Sequence, residues 1–451
     1  MQSVLQKREV NFSDKALLRL IWPLIVEQFL ALAVGLADSI MVANVGEAAV
    51  SGVSLVDSVN VLIINAFTAL AAGGAVICGQ FIGKNDLKKA NDAAAQLLVF
   101  MGVLSLVMTG VLYAIHRPLM RGLFGDIEAD VMGHATTYYL IVESSIPFLA
   151  LYSAGAAIFR VMGNSAVSMK VSLLMNGINV TGNALMIYGL RCGVVGVAVP
   201  TLVSRGVAAV LVLVLLCDQN LQLHLERPFR YRYDGEAIRR ILRLGVPNGI
   251  ESSLFQMGKI LLLSAVSAFG TASIAANAIG NAVASFQVLP ASAVGTAMVT
   301  VVSQCVGAGA FEKARYYTRR MMSAAYISMF AINLVLVFLY PVILRLYNVS
   351  PEAERLALII LWMHGGFGVL MWPAAFTFPQ ALKAAGDTRF TMVAAVASMW
   401  VFRYLFGMWF ARGLGFGVLG IWMAMFIDWA GRILCFWLRW RSGKWQTKGV
   451  R

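Results

Sequence analysis

In a chain of 451 residues that is 59% hydrophobic and only 13% charged, a carboxylate inside an apolar run is the feature that needs a reason. Asp38 sits in such a run, near the end of a stretch that begins at about residue 15. An ionised acid at the centre of a membrane helix costs roughly 2.5–3.5 kcal/mol unless it is paired, hydrated or protonated. The chemistry open to Asp38 is therefore to gain and lose a proton or a small cation; the plainer alternative is that it reaches headgroup water. Asn176, Asn179 and Asn183 lie at i, i+3 and i+7 and so share one helical face. Their amide oxygens can ligate sodium or accept a hydrogen bond from a protonated Asp38, and Thr201, beside Pro200, can add a hydroxyl. Such a row is equally suited to joining helices, at about 1 kcal/mol per bond.

A second set of polar residues occurs in duplicate. Pro23 and Glu27 recur as Pro247 and Glu251. A helix proline frees a carbonyl and permits bending, so each pair reads as a hinge with a polar plug near the inner mouth. Alternatively each glutamate bonds a neighbouring helix end, the reading that retention in both copies favours. Lys259 is an isolated base that snorkels or pairs with an acid the sequence does not identify. Asp428 and Arg432 are spaced to pair, with Arg403 as a third member, while Asp57, Glu143 and Arg205 either line a cavity or are paired. The histidines lack ligand spacing and the cysteines lack paired spacing, so neither a metal or other cofactor nor a disulfide framework is expected. Gly415-x-Gly417-x-x-Gly420 imitates a dinucleotide-binding pattern but follows no strand, and reads as a tight turn with close helix packing. No cluster of nucleophilic or acid–base residues at one depth points to an enzyme.

The elements that position these residues are apolar helices, since so little polar surface cannot cover a soluble body of this length. Spans are expected at about 15–42, 52–82, 92–114, 130–157, 164–189, 194–217, 237–268, 276–306, 316–342, 353–382, 389–411 and 417–439. The first is expected to insert and stay. Arg19-Leu20-x-x-Pro23-x-x-x-Glu27 returns as Arg243-Leu244-x-x-Pro247-x-x-x-Glu251, 224 positions later. The same offset carries Gly46 onto Gly270, Gln80-x-x-Gly83 onto Gln304-x-x-Gly307, and Gly193-x-x-Gly196 onto Gly417-x-x-Gly420. The expected fold is thus an all-α integral membrane protein, with twelve transmembrane helices in two parallel six-helix repeats related by a pseudo-twofold axis along the membrane normal. The expected lobes are 1–217 and 237–451, joined by a polar, arginine-rich linker at 218–236 that contains Pro228. With this reading Lys7, Arg8, Lys84, Lys88, Lys89, Arg227, Arg230, Arg239, Arg240, Lys313, Arg315, Arg439 and Lys444 fall on one side. By the positive-inside rule that side is the cytoplasm and holds both termini. The net charge of +14 is then topological, and nucleic acid is not an expected partner.

These residues carry a family resemblance. Pro23-x-x-x-Glu27 is followed by Ala37-Asp38-Ser39-Ile40-Met41-Val42-x-x-Val45-Gly46 and then by Gln80-x-x-Gly83. Arg160-Val161-Met162-Gly163-Asn164 has its counterpart in Lys383-Ala384-Ala385-Gly386-Asp387. Together, over about residues 15–440, they resemble the multidrug and toxic compound extrusion (MATE) family, its DinF-like branch more than the NorM-like one. The resemblance implies a secondary transporter of the cell membrane that exports drugs or metabolites by alternating access, driven by inward return of a proton or sodium ion. It groups Asp38 with Asn179, Asn183 and Thr201 as the coupling residues; Asn183 stands where those relatives have a second carboxylate, which favours protons. The acidic site that NorM-type members carry in the second lobe falls here on Phe255 and the apolar surroundings of Trp372, so coupling is expected in the first lobe alone.

Phe29, Met41, Met175, Phe255, Met257 and Phe286 are expected on the substrate wall by span position. The expected partners are small amphipathic, cationic molecules and lipid, around a monomer. A lipid-linked oligosaccharide flippase of the wider superfamily is the rival reading; the neutral or acidic character of the cavity candidates counts against it.

Overall fold

The computed structural model describes residues 10–125, 127–226 and 231–449, the side chains of 123 and 124 excepted. Lys7, Arg8, Arg227, Pro228 and Arg230 lie outside the described residues. Those described form helices and connecting turns, with no strand among them. The order is α1 (Asp14–Ala43), α2 (Glu47–Gly83), α3 (Leu87–Ala114), a short α4 (His116–Phe124), α5 (Ala129–Glu143), α6 (Ile146–Val161), α7 (Ser165–Ala184) and α8 (Val195–Leu216). There follow α9 (Gly235–Ser267), α10 (Thr271–Gly307), α11 (Phe311–Tyr347), α12 (Pro351–Trp372), α13 (Pro379–Ala384), α14 (Thr388–Ser398), α15 (Phe406–Met408) and α16 (Gly417–Arg441). Capping chemistry sets some of these ends. Asp86 accepts from the Lys89 backbone N–H at 3.2 Å to start α3, and Ser350 accepts from Ala353 at 3.3 Å to start α12, whose first residue is Pro351.

Nine helices among the described residues are long and apolar enough to cross a membrane, and a tenth arises if α5 and α6, bent by 46°, count as one span. The expected twelve are not reached on apolarity. The two remaining stretches are helical but carry polar cargo: α7 holds Lys170 and three asparagines, and α9 holds Arg239, Arg240, Arg243, Glu251 and Lys259. The expected continuous span at 130–157 is broken at Ser144–Ser145, where Pro147, in the first turn of α6, cannot donate to the ladder. Among the described residues four π-helical stretches, Leu185–Gly189, Pro373–Thr377, Met399–Leu405 and Trp409–Gly413, interrupt or extend the helices.

The chain forms two compact units, one of 18–82 with 86–249, the other of 250–451 with the residues up to Leu17 and 83–85. The sequence places the boundary at 218–236, whereas compactness places it inside α9. The reason is glycine packing: the start of α9 meets α2 so closely that a Cβ on Gly73 would lie 2.6 Å from the Gly245 nitrogen. Within the N-terminal unit the core joins Met41 of α1, Val53 and Val56 of α2, Tyr138, Tyr139 and Val142 of α5, and Val197 of α8. In the C-terminal unit Val266 of α9, Ile279 and Val283 of α10, Tyr340 of α11, Ile360 of α12, and Trp422 and Trp429 of α16 form the corresponding core. The glycine pattern before α16 is a turn: Gly415 and Gly417 have φ of 75° and 56°, and a Cβ on Gly420 would lie 2.8 Å from the Ala411 nitrogen.

Candidate functional site

Asp38 stands near the C-terminal end of α1, half-buried, facing α7 and α8. The fully buried Asn183 donates its Nδ2 to Asp38 Oδ1 at 2.8 Å. Asn179 lies 3.1 Å from the Thr201 hydroxyl. A carboxylate only accepts, so the Asn179 amide is best oriented with its nitrogen toward the acid, 3.1 and 3.2 Å from the two carboxylate oxygens. Asp38, Asn179, Asn183 and Thr201, far apart in the chain, therefore meet in one polar group. Asn176 does not join it; one helical turn away, its amide bonds Ser172 Oγ at 3.4 Å.

The groups that donate to Asp38 are neutral, and the acceptor that a protonated acid needs lies in the same amide that now donates to it. Asn183 Oδ1 is buried with no hydrogen-bond partner among the described residues. When the acid takes a proton it becomes a donor, and rotation of the Asn183 amide presents that oxygen to it. A sodium ion would instead find carboxylate, amide and hydroxyl oxygens, the donor set of a hard cation.

Asp57 and Arg205 are the charged groups that face Asp38. Both are engaged. Tyr138 of α5 donates to Asp57 at 3.0 Å, and Arg205 of α8 donates to Ser145 Oγ at 2.7 Å. Glu143, fully buried, has neither carboxylate oxygen hydrogen-bonded among the described residues, and the charge facing it is Arg205.

The paired glutamates are tied to bases that sequence reading left unassigned. In the N-terminal unit Glu27 accepts from Arg160 and, at 2.9 Å, from Ser168; in the C-terminal unit Glu251 accepts from Lys383 at 2.9 Å. Arg160 and Lys383 head the two corresponding Gly-Asn and Gly-Asp motifs, so both units repeat one device: an acid four residues after a helix proline, locked to a base at the end of another helix. The signal was present in the sequence, since each acid recurs with a basic residue at nearly the same separation, 133 and 132 residues further on, but nothing local announces the contact.

Of the six residues expected on the substrate wall, Met41 belongs to the N-terminal core. Phe255 packs on the C-terminal core, with the Arg403 and Arg432 guanidinium groups 5.6 and 5.2 Å from its ring centre. Phe29 and Met257 are exposed, and Met175 and Phe286 are half-buried. Asp428 and Arg432 pair at 2.8 Å, as their spacing requires, with Arg403 4.0 Å from the second oxygen.

Long apolar helices and repeated proline–acid–base devices define the class: a duplicated helical membrane protein. The model of the MatE family matches this chain twice, over 23–185 and 247–409, with the same 224-residue displacement that the motifs show. The chain belongs to the MatE family of transporters. It is 27% identical to the uncharacterized transporter YisQ of Bacillus subtilis, over 96% of each chain. It is 26% identical to the probable multidrug resistance protein NorM of Thermotoga maritima, over 100% of this chain and 97% of that one. A solved MATE structure in the bent conformation has the same fold, with a TM-score of 0.86 at 20% identity over 96% of both chains. The protein is thus a multi-pass membrane protein of a small-molecule transporter family.

Proposed function

We propose that the protein is a secondary exporter of small amphipathic molecules, organic cations among them, coupled to inward return of a proton at Asp38. The observation that carries this reading is the polar group of Asp38, Asn183, Asn179 and Thr201, in which a carboxylate is held by neutral donors and a buried amide oxygen stands unsatisfied. A proton can bias the conformations only through different affinities in them. Movement of α1 against α7 supplies that difference, because it makes or breaks the Asn183 bond. With Asp38 as the single acid of the group, a sodium ion would have one anionic ligand and otherwise neutral amide and hydroxyl oxygens, which favours a proton over sodium. Placement in the cell membrane with both termini in the cytoplasm follows from the distribution of lysine and arginine.

Purified protein in liposomes, given a pH gradient and a sodium gradient separately, tests the proposal. Uphill movement of a fluorescent organic cation under the pH gradient alone is expected. Movement under sodium alone would contradict proton coupling, and downhill flux that neither gradient accelerates would contradict antiport.

A further inference from the structure

The C-terminal unit contains a cavity of about 380 Å³ whose chemistry is opposite to that of the Asp38 group. Its wall includes Gln256 and Lys259 of α9, Asn277 and Asn281 of α10, Arg403 of the π-helical stretch Met399–Leu405, and Trp422 of α16. Two of these are cations, and among the described residues no carboxylate lines the cavity. The charged group that faces Lys259 is Arg403, a like charge, and Lys259 takes part in none of the ion pairs among the described residues. Asp428 is shared: it bonds Arg432 at 2.8 Å and pairs with Arg403 at 4.0 Å, while Arg403 keeps its Nε without a partner among the described residues and a nitrogen against the Met425 sulfur at 3.2 Å. Two arginines therefore share one acid, and Lys259 has none among the described residues.

The neutral groups point the same way. Trp422 Nε1 only donates, so the Asn277 atom it meets at 3.1 Å is the oxygen, which leaves the amide nitrogen of Asn277 as a donor in the cavity. Lys259 is exposed where the cavity opens, and two like charges with a donor directed into one cavity make it complementary to an acceptor of negative charge. The remaining wall, Leu262, Val266, Ile421 and the Trp422 ring, suits a flat apolar body, and the volume is that of a small-molecule site.

We infer that this cavity binds an oxyanion carried on a small aromatic or aliphatic body, with Lys259 and Arg403 as its counter-charges. The site is separate from the coupling group. Its occupancy is measured at equilibrium without a gradient, so failure here and failure of proton coupling at Asp38 are distinguishable.

The test uses the full chain in phosphatidylcholine nanodiscs and radiolabelled 1-naphthoate, with 1-naphthylmethylamine as the cationic counterpart. Saturable naphthoate binding is expected, with the amine at least about tenfold weaker, the scale set by one charge-assisted hydrogen bond. Lys259→Gln should weaken naphthoate binding by about tenfold or more, and Lys259→Arg should restore it to within about threefold, since charge and donors return. Equal binding of acid and amine, or a Lys259→Gln variant within about twofold of the parent, would overturn the inference, given the factor a lost charged partner implies. Nanodiscs containing phosphatidylglycerol separate the sources of the oxyanion. Unchanged naphthoate binding supports a free organic anion as occupant, and competition supports a lipid phosphate in the same site.

Discussion

The Glu251–Lys383 pair of the C-terminal unit permits a quantitative prediction. Its side chains are 17% and 13% exposed and meet at 2.9 Å, and the second glutamate oxygen has no hydrogen-bond partner among the described residues. Lys383→Met leaves that carboxylate buried without a counter-charge. Removing one member of such a pair costs about 3–5 kcal/mol. The stranded acid has an escape, however, because it can take a proton, and the loss cannot exceed the free energy of doing so. For a glutamate that titrates at about 4.3 in water, protonation at pH 7 costs about 3.7 kcal/mol, and at pH 5.5 about 1.6 kcal/mol. The sign follows from linkage: the folded variant holds a proton that its unfolded chain releases, so the penalty is full at neutral pH and fades as pH falls toward the unfolded value. For a unit of about 200 residues the neutral-pH loss corresponds to about 7–15 °C in melting temperature. Thermal unfolding in mild detergent at pH 7.0 and 5.5, with Glu251→Leu/Lys383→Met as the matched apolar pair, measures it. The double variant should melt close to the parent at both pH values. A Lys383→Met loss that is the same at both pH values, or absent at pH 7, would refute the view that an uncompensated charge is what the pair prevents.

Asn183→Leu should fold and reach the membrane yet lose most proton-driven uptake in energised vesicles, whereas Asn176→Ala, whose amide bonds Ser172, should keep it; equal loss in both would remove the distinction drawn within the asparagine row. Gly73→Ala drives a methyl group to 2.6 Å from the Gly245 nitrogen, backbone that cannot yield as a side chain would, and should destabilise the protein by about 1–3 kcal/mol in the same thermal assay.

The repeat was legible because a 224-residue offset preserves residue types whose spacing is set by helix geometry, and the two family matches reproduce it. Asp38, Asn179, Asn183 and Thr201 were legible because a polar side chain in an apolar span stands out, and helical periodicity says which of them share a face. Periodicity does not give depth. Asn176 shares the face but lies one turn from the acid, on Ser172. The partners of Glu27 and Glu251 were hidden because Arg160 and Lys383 stand 133 and 132 residues further along, and pairing at that separation is decided by helix packing. The same limit concealed the cation pair of the C-terminal cavity: Lys259 was visible as an isolated base, but that its neighbour is Arg403 and not an acid depends on how α9 meets the stretch after α14. Span counting by apolarity fell short where polar residues interrupt the apolar pattern, in α7 and α9.

The central claim is that Asp38 carries the coupling charge, and Asp38→Asn in liposomes tests it most directly. The amide keeps the shape and the contact with Asn183 but cannot release a proton. The account predicts that the variant still exchanges labelled for unlabelled substrate across the membrane while a pH gradient no longer drives accumulation. Accumulation at the parental rate under that gradient would contradict it.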